Sequence, residues 1–405
     1  MSAKTRLGIM MFLQYAIWGA WAPVLSVYLL DDLGFTGFQA GAIYALLPLA
    51  TILSPFIGGQ LADRYFSSEK VIAFLQFTGG VLLIVCAQAT SFTTMAWIMF
   101  FYCLLYAPTL ALTNSVAMIN LKDSEKEFGA IRVWGTLGWI AAGLMLSGWR
   151  TFGEGSEGLM MGGDMLFLAG VASIVMAFQA FMLPHTPPNK DTAKPWAFLE
   201  SLKMLKVKRF AIFIAITFVV STELEFFYIL TGPFLQSDSI GVSAERLPAV
   251  MTIAQFAEIF VMAFMLSWAL KRYGMRKTLA IGVVAWPIRY IIFAFGTPAW
   301  LVIASLALHG FCYVFFFVAA FIYVDKVAPA DIRASAQSMI AIVALGLGRF
   351  LGSLFAGKVQ EIFTTDMGVT NWTSVFLVPC ALTTICAVAF LLFFRDEDAP
   401  AEAVV

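Results

Sequence analysis

The sequence predicts an all-α membrane protein with twelve transmembrane helices in two six-helix bundles and both termini cytoplasmic. Three observations predict it: apolar runs long enough to span a bilayer, basic residues confined to alternate connections, and a polar linker at the midpoint. Hydrophobic residues make up 61% of the 405 positions and charged residues 12%, against about 45–50% and about 25% in soluble domains. A soluble fold of this length could not hide so much apolar surface from water, so lipid must cover much of it.

A spanning helix needs about 20 mainly apolar residues. Runs of that kind fall at 7–30, 37–61, 71–90, 93–118, 130–149, 165–184, 209–235, 247–270, 278–296, 299–324, 333–357 and 372–394. Lys4 and Arg6 precede the first run. Because it is too long for a signal-peptide core, it reads as the first span and not as a cleaved leader.

Most of the 25 basic residues, from Lys4 and Arg6 to Arg395, fall at the termini or in even-numbered connections, whereas odd-numbered connections hold only Arg150, Arg246 and Lys358. The positive-inside bias therefore puts both termini in the cytoplasm, and the expected location is the cell inner membrane. Arg132, Arg289 and Arg349 lie inside or at the edge of spans.

The longest polar interruption runs from His185 to Pro195 and continues as a basic amphipathic stretch to Arg209. Its prolines and charges mark a linker. The expected division is a bundle over 1–186, a cytoplasmic linker over 187–206, a second bundle over 207–396 and a tail over 397–405. One local echo supports an internal repeat: Gly59-Gln-Leu-Ala-Asp63-Arg64-Tyr65 follows span two, and Leu270-Lys-Arg272-Tyr273-Gly274-Met-Arg276-Lys277 follows span eight. Six spans plus six is the layout of carriers that rock two bundles around a midplane site.

The residues argue against several other function classes. A net charge of zero gives no footprint for nucleic acid. Cys86, Cys103, Cys312, Cys380 and Cys386 lie in apolar stretches without paired or metal-ligand spacing and read as small reduced hydrophobes. With two histidines, no nucleophile–base pair and no phosphate-cradling loop, an enzyme is not indicated, and no cofactor or metal is expected. A sensor would need a domain to pass on its signal, and none is evident.

Ionisable groups inside a span are costly and are functional candidates by default. In span five Arg132, Thr136 and Trp139 follow the i, i+4, i+7 pattern of one helix face. A cation, a hydroxyl and an aromatic plane suit a sugar-and-base ligand; the competing reading has Arg132 snorkelling to the surface. In span seven Glu223 and Glu225 point to roughly opposite faces, with Tyr228 on that of Glu225. Either acid could instead hold a facing helix. Gln255 and Glu258 share a face of span eight, and His309 and Tyr313 a face of span ten. A lone histidine there is either a packing residue or a ligand contact. Gln14 and Asn114 read as interhelical glue, and Arg289 is expected to pair with an acid or a backbone carbonyl.

The segment Gly59-Gln-Leu-Ala-Asp63-Arg64 resembles the signature loop of the major facilitator superfamily, whose Asp and Arg latch one conformer. Further strings resemble the nucleoside:proton symporter branch of that superfamily. They are Phe12-Leu-Gln14-Tyr15-Ala-Ile-Trp18-Gly-Ala-Trp21, Tyr106-Ala-Pro108-Thr109-Leu-Ala-Leu-Thr-Asn114, Ile131-Arg132-Val-Trp134-Gly135-Thr136-Leu-Gly138, Ala285-Trp286-Pro-Ile-Arg289-Tyr290 and Ile332-Arg333-Ala-Ser-Ala-Gln337. The resemblance implies a major facilitator fold, a nucleoside and a proton as partners within the bilayer, and a monomer. It implies substrate contacts at Arg132, Thr136, Trp139, Glu225, Tyr228, Gln255, Glu258, His309 and Tyr313. The sequence departs from the family at Val314, where the pattern has an aspartate suited to proton coupling. Glu225 and Tyr228 likewise replace neutral amides. The coupling proton is then expected on Glu225, Glu258 or Glu223. The alternative is a carrier for a sugar or another small polar solute, or a uniporter.

Overall fold

The computed structural model describes residues 2–64, 66–152, 162–187 and 198–394. The described residues are almost entirely helical, their one β-feature being an isolated bridge between Thr364 and Thr370. Among the described residues ten helical runs are long and apolar enough to cross a membrane. In chain order the helices are α1 (Ala3–Asp32), α2 (Gly37–Arg64), α3 (Ser68–Cys86), α4 (Phe92–Ile119), α5 (Ser124–Phe152), α6 (Asp164–Ala180), α7 (Lys208–Gln236), α8 (Leu247–Phe295), α9 (Ala299–Val327), α10 (Ser335–Ile362) and α11 (Trp372–Phe393). Helix α6, with 17 residues, is shorter than the other ten. The 49-residue α8 covers two expected spans and breaks at Gly274, whose φ of 79° is open to glycine and strained for other residues.

The chain divides into two compact units, 1–192 with 242–252 and 193–241 with 253–405. The boundary is not a single cut, because the stretch before and into α8 belongs with the first unit. Ser147 Oγ donates to the Glu245 carbonyl, and Arg150 Nη1 donates to the Ala244 carbonyl at 3.2 Å. Arg150 also makes a two-pronged bridge to Asp164, both contacts at 2.7 Å, which closes the connection between α5 and α6.

Within the first unit, α1 lies against α5 so closely that a Cβ on Gly138 would sit 2.0 Å from the Phe12 carbonyl oxygen. Only glycine permits that approach. A buried polar chain ties α1, α3, α4 and α6. Gln14 Nε2 donates to Thr109 Oγ1 at 2.8 Å, Gln76 Nε2 to Gln14 Oε1 at 2.9 Å, and Ser173 Oγ to the Gln76 carbonyl at 2.7 Å. In an apolar medium each of these groups must find its partner inside the protein, and Gln14 is the interhelical glue its position predicts. Glu69, at the start of α3, holds the segment after α6 by accepting from the Thr186 amide at 3.0 Å and meeting His185 Nδ1 at 2.8 Å.

In the second unit α7 packs on α10 and α11, and α8 beyond Gly274 packs on α9 and α11. Residues 198–206, expected as linker, form helical turns.

Four of the five π-helical stretches among the described residues occur in α7–α10: Phe226–Leu230, Val261–Met265, Phe311–Val318 and Ile342–Leu347. A π-turn adds one residue to a helical turn and re-aims the neighbouring side chains, and it recurs at functional sites. Here each stretch contains or closely borders a residue of the cluster described next.

Candidate functional site

The first unit carries a polar face on α5. Arg132 is half-buried, with its guanidinium over the Tyr15 ring at 3.9 Å from the centroid. Thr136, one turn on, is half-buried, and Trp139 is 7% exposed with its ring edge-on to Trp18 at 5.3 Å. The one-face pattern holds. The cation, however, is engaged by α1: Tyr15 and Trp18 support Arg132 and Trp139, and spacing within α5 alone could not find them.

The second unit holds the denser cluster, built on α7 to α10. Glu225 is 1% exposed and forms an ion pair with Arg349 of α10, with Nε to Oε1 at 2.5 Å. Ser353 Oγ donates to the other carboxylate oxygen at 3.0 Å, and Arg349 also lies over the Tyr228 ring at 5.4 Å. In the sequence Arg349 is a cation within a span, and only the fold joins it to Glu225. A lone arginine in one apolar helix and a surplus carboxylate in another were the available signal. Glu223, two residues earlier, has no such partner. It is fully buried, Thr222 donates to Oε1 at 2.9 Å, and Oε2 has no hydrogen-bond partner.

Arg289 corrects an expectation. Among the described residues neither an acid nor a backbone carbonyl receives it. It is fully buried, with its guanidinium over Phe227 at 4.4 Å, Trp286 at 4.6 Å and Tyr290 at 5.1 Å. The negative ring faces take over part of the role of a counter-ion. Its Nη1 meets His309 Nδ1 at 3.3 Å, and Nη2 reaches the Tyr290 hydroxyl at 3.5 Å, which in turn donates to the Glu223 backbone carbonyl. Glu223, Tyr290, Arg289 and His309 thus form one chain across α7, α8 and α9.

His309 is fully buried and stacks on Phe227 at 4.6 Å and on Tyr313 at 5.6 Å, with Tyr228 edge-on at 6.0 Å. The residue is therefore packed against rings on both faces and hydrogen-bonded to Arg289. Gln255 is 5% exposed with Oε1 unpartnered, and Glu258 is half-buried one turn along α8. Val314, where the family pattern has an acid, is fully buried. Asn114, expected as glue, has a buried Oδ1 without a partner. The proposed latch at Asp63 and Arg64 lies outside the described residues, because no side chain from 55 to 65 is described.

Five buried polar atoms without a hydrogen-bond partner fall in this cluster: Glu223 Oε2, Gln255 Oε1, Trp286 Nε1, Arg289 Nε and His309 Nε2. An unpaired buried donor or acceptor costs about 1–3 kcal/mol. Each such group in a folded protein calls for an explanation. Among the described residues no group of acidic, histidine or cysteine side chains is arranged to hold a metal ion.

Comparison with known proteins finds relatives along nearly the whole chain. A family model described as Nucleoside H+ symporter matches residues 1–399. The putative nucleoside transporter YegT of Escherichia coli K12 is 36% identical over 411 aligned residues, which cover 98% of this chain and 95% of the relative. Nucleoside permease NupG of the same organism is 30% identical over 414 residues, covering 98% and 96%. The crystal structure of the nucleoside transporter NupG superimposes with a TM-score of 0.86 at 29% identity, covering 98% of this chain and all of that one.

Proposed function

The chain belongs to the nucleoside H+ symporter family, transporters of the major facilitator fold and not enzymes, and from that premise we propose that it carries nucleosides together with protons by alternating access. The observation that carries the reading is the second-unit cluster, where Phe227, Tyr228, His309 and Tyr313 present aromatic faces beside Glu225 and Arg349. Aromatic faces accept the flat base by stacking, and the charged and amide groups accept ribose hydroxyls and base edges. The proposed substrate contacts are Arg132, Thr136 and Trp139 from the first unit and Glu225, Tyr228, Gln255, Glu258, His309 and Tyr313 from the second.

Proton coupling needs an acid whose charge is cheap in one state and costly in another. With Val314 apolar, the candidates are Glu225, Glu258 and Glu223. Glu225 can give up its charge only if Arg349 finds another partner, which would link protonation to rearrangement of α7 against α10. Glu223 is buried with no cation among its contacts, so a proton removes its desolvation cost directly.

The setting we propose is a monomer in the bacterial inner membrane, with twelve spans and both termini cytoplasmic. Ten helices qualify by length and hydropathy. The break at Gly274 supports counting α8 twice, and α6 supplies the twelfth. The proposed division is a bundle over 1–186, a linker over 187–206, a second bundle over 207–396 and a tail.

The test is uridine uptake into proteoliposomes, with and without an inward proton gradient, for wild type and for Glu223→Gln, Glu225→Gln and Glu258→Gln. Symport predicts gradient-stimulated uptake, and one variant that still moves uridine but no longer responds to the gradient. The buried valine at 314 favours a second reading, uniport, under which wild-type uptake ignores the gradient. Folded protein that moves sugars and no nucleoside would reject the substrate class.

A further inference from the structure

The contact between Arg289 and His309 fixes more than packing. A guanidinium has donors only, so across the 3.3 Å contact His309 Nδ1 must accept. The imidazole is therefore the neutral tautomer with its proton on Nε2. That N–H is a donor, it is buried, and no acceptor among the described residues meets it. The orientation is over-determined. Arg289 is itself held by three ring faces and by Tyr290, whose hydroxyl is anchored on the Glu223 carbonyl. His309 is further wedged against Phe227 and Tyr313, whose planes lie 20° and 22° from its own.

We infer that Arg289 is a positioning residue that locks His309 in the Nε2–H form, and that this single donor, set beside the rings of Tyr228 and Tyr313, reads a ring carbonyl of the carried nucleobase. The inference rests on the proposed function and deepens it by naming the base feature recognised. Three points carry it. A donor without an acceptor in a buried site is a cost that an arriving carbonyl removes. The donor sits among aromatic planes, where a flat base stacks and so presents its edge in the plane of the imidazole N–H. The guanidinium behind the ring polarises the imidazole and strengthens the outward N–H as a donor. A phenyl or phenol ring at position 309 would stack equally well and could not be aimed by Arg289 in this way.

The test is a binding cycle by isothermal titration on the purified full chain. Uridine and inosine are compared with analogues that each lack one ring carbonyl, against wild type, His309→Phe and His309→Gln. The expected result is that loss of one particular carbonyl weakens wild-type binding about tenfold, the size of one hydrogen bond. His309→Phe, which keeps the ring and loses the donor, then binds parent and analogue alike, and His309→Gln, which restores an N–H, regains part of the discrimination. Equal discrimination by wild type and His309→Phe for every analogue overturns the inference and leaves nucleoside transport standing. Wild type that binds no nucleoside overturns the proposed function and the base-reading donor with it.

The positioning role has its own readout. The chain has only two histidines, His185 and His309, so nitrogen NMR of histidine-labelled protein shows two imidazoles, and that of His309 is the one lost in His309→Phe. The proton is expected on Nε2 in wild type and distributed over both nitrogens in Arg289→Met. A wild-type proton on Nδ1, or an unchanged tautomer in a folded Arg289→Met, overturns the positioning role. Arg289→Lys, which keeps the charge, serves as the second variant if the methionine does not fold.

Discussion

At the scale of single residues the Glu225–Arg349 pair is the more deeply buried of the two ion pairs among the described residues of the second unit. Both groups are withdrawn from water, Glu225 almost completely and Arg349 to 11% side-chain exposure. Desolvating a charge costs several kcal/mol, repaid only while its partner and hydrogen bonds are present. Ser353 supplies one of those bonds. Removing one member strands the other, whereas removing both leaves two neutral side chains of similar size. Arg349→Met is therefore expected to cost about 3–5 kcal/mol of stability. The double variant Glu225→Gln/Arg349→Met should recover most of that loss. Scanning stability of the purified protein in detergent checks it; a double variant as unstable as the single one would show that the pair is not coupled energetically. The same logic explains what sequence reading could and could not reach. Both charges were visible as misfits in apolar helices, but their partnership is a fact of tertiary packing between positions 124 apart. Arg289 was misassigned for a related reason. Spacing shows that a buried cation needs compensation and does not show that ring faces will provide it.

At the scale of elements, helix position was largely legible and helix irregularity was not. Hydropathy locates the apolar runs because every backbone group in lipid must be satisfied within its own helix. The π-turns beside Glu225, Glu258, His309 and Arg349 leave no such trace, since hydropathy is blind to one extra residue in a turn. Helix contacts are intermediate, because glycines hint at close approach without naming the partner. Two glycines of α5 make the point testable. A Cβ on Gly138 would collide with the Phe12 backbone, which cannot yield as a side-chain tip can, whereas nothing lies within 4 Å of a Cβ on Gly148. Gly138→Ala should therefore push α1 from α5, lower the melting temperature and disturb the face carrying Arg132, Thr136 and Trp139. Gly148→Ala should be neutral or stabilise by up to about 1 kcal/mol through helix propensity. Thermal scans of the two variants side by side decide it, and equal behaviour would mean that α1 and α5 are not held at that contact.

At the scale of the whole molecule the open question is parity, and it turns on Gly274 and α6. An even number of crossings puts both termini on one side; an α8 that crossed once, or an α6 that did not cross, would separate them. Within each unit, contacts tie chain ends to helix ends. In the first, Lys4 pairs with Glu127 near the start of α5, and Arg6 Nη1 donates to the Met182 carbonyl just past α6 at 2.8 Å. In the second, Arg276 Nη2, two residues past the break, donates to the Leu391 carbonyl near the end of α11 at 3.0 Å. The break is thus at the same end of its unit as the C-terminal end of α11, and it is flanked by Lys271, Arg272, Arg276 and Lys277. Basic residues are retained on the cytoplasmic side, so the Gly274 turn and the C-terminus are both expected there, with the run either side of the turn crossing separately. A fluorescent-protein fusion at either terminus should then mature and fluoresce, because the reporter folds only in the cytoplasm. Alkaline phosphatase fused at Asp366, in the connection between α10 and α11, should be active, because it folds only outside. A dark C-terminal fusion beside a fluorescent N-terminal one would make the number of crossings odd and remove the two-times-six architecture.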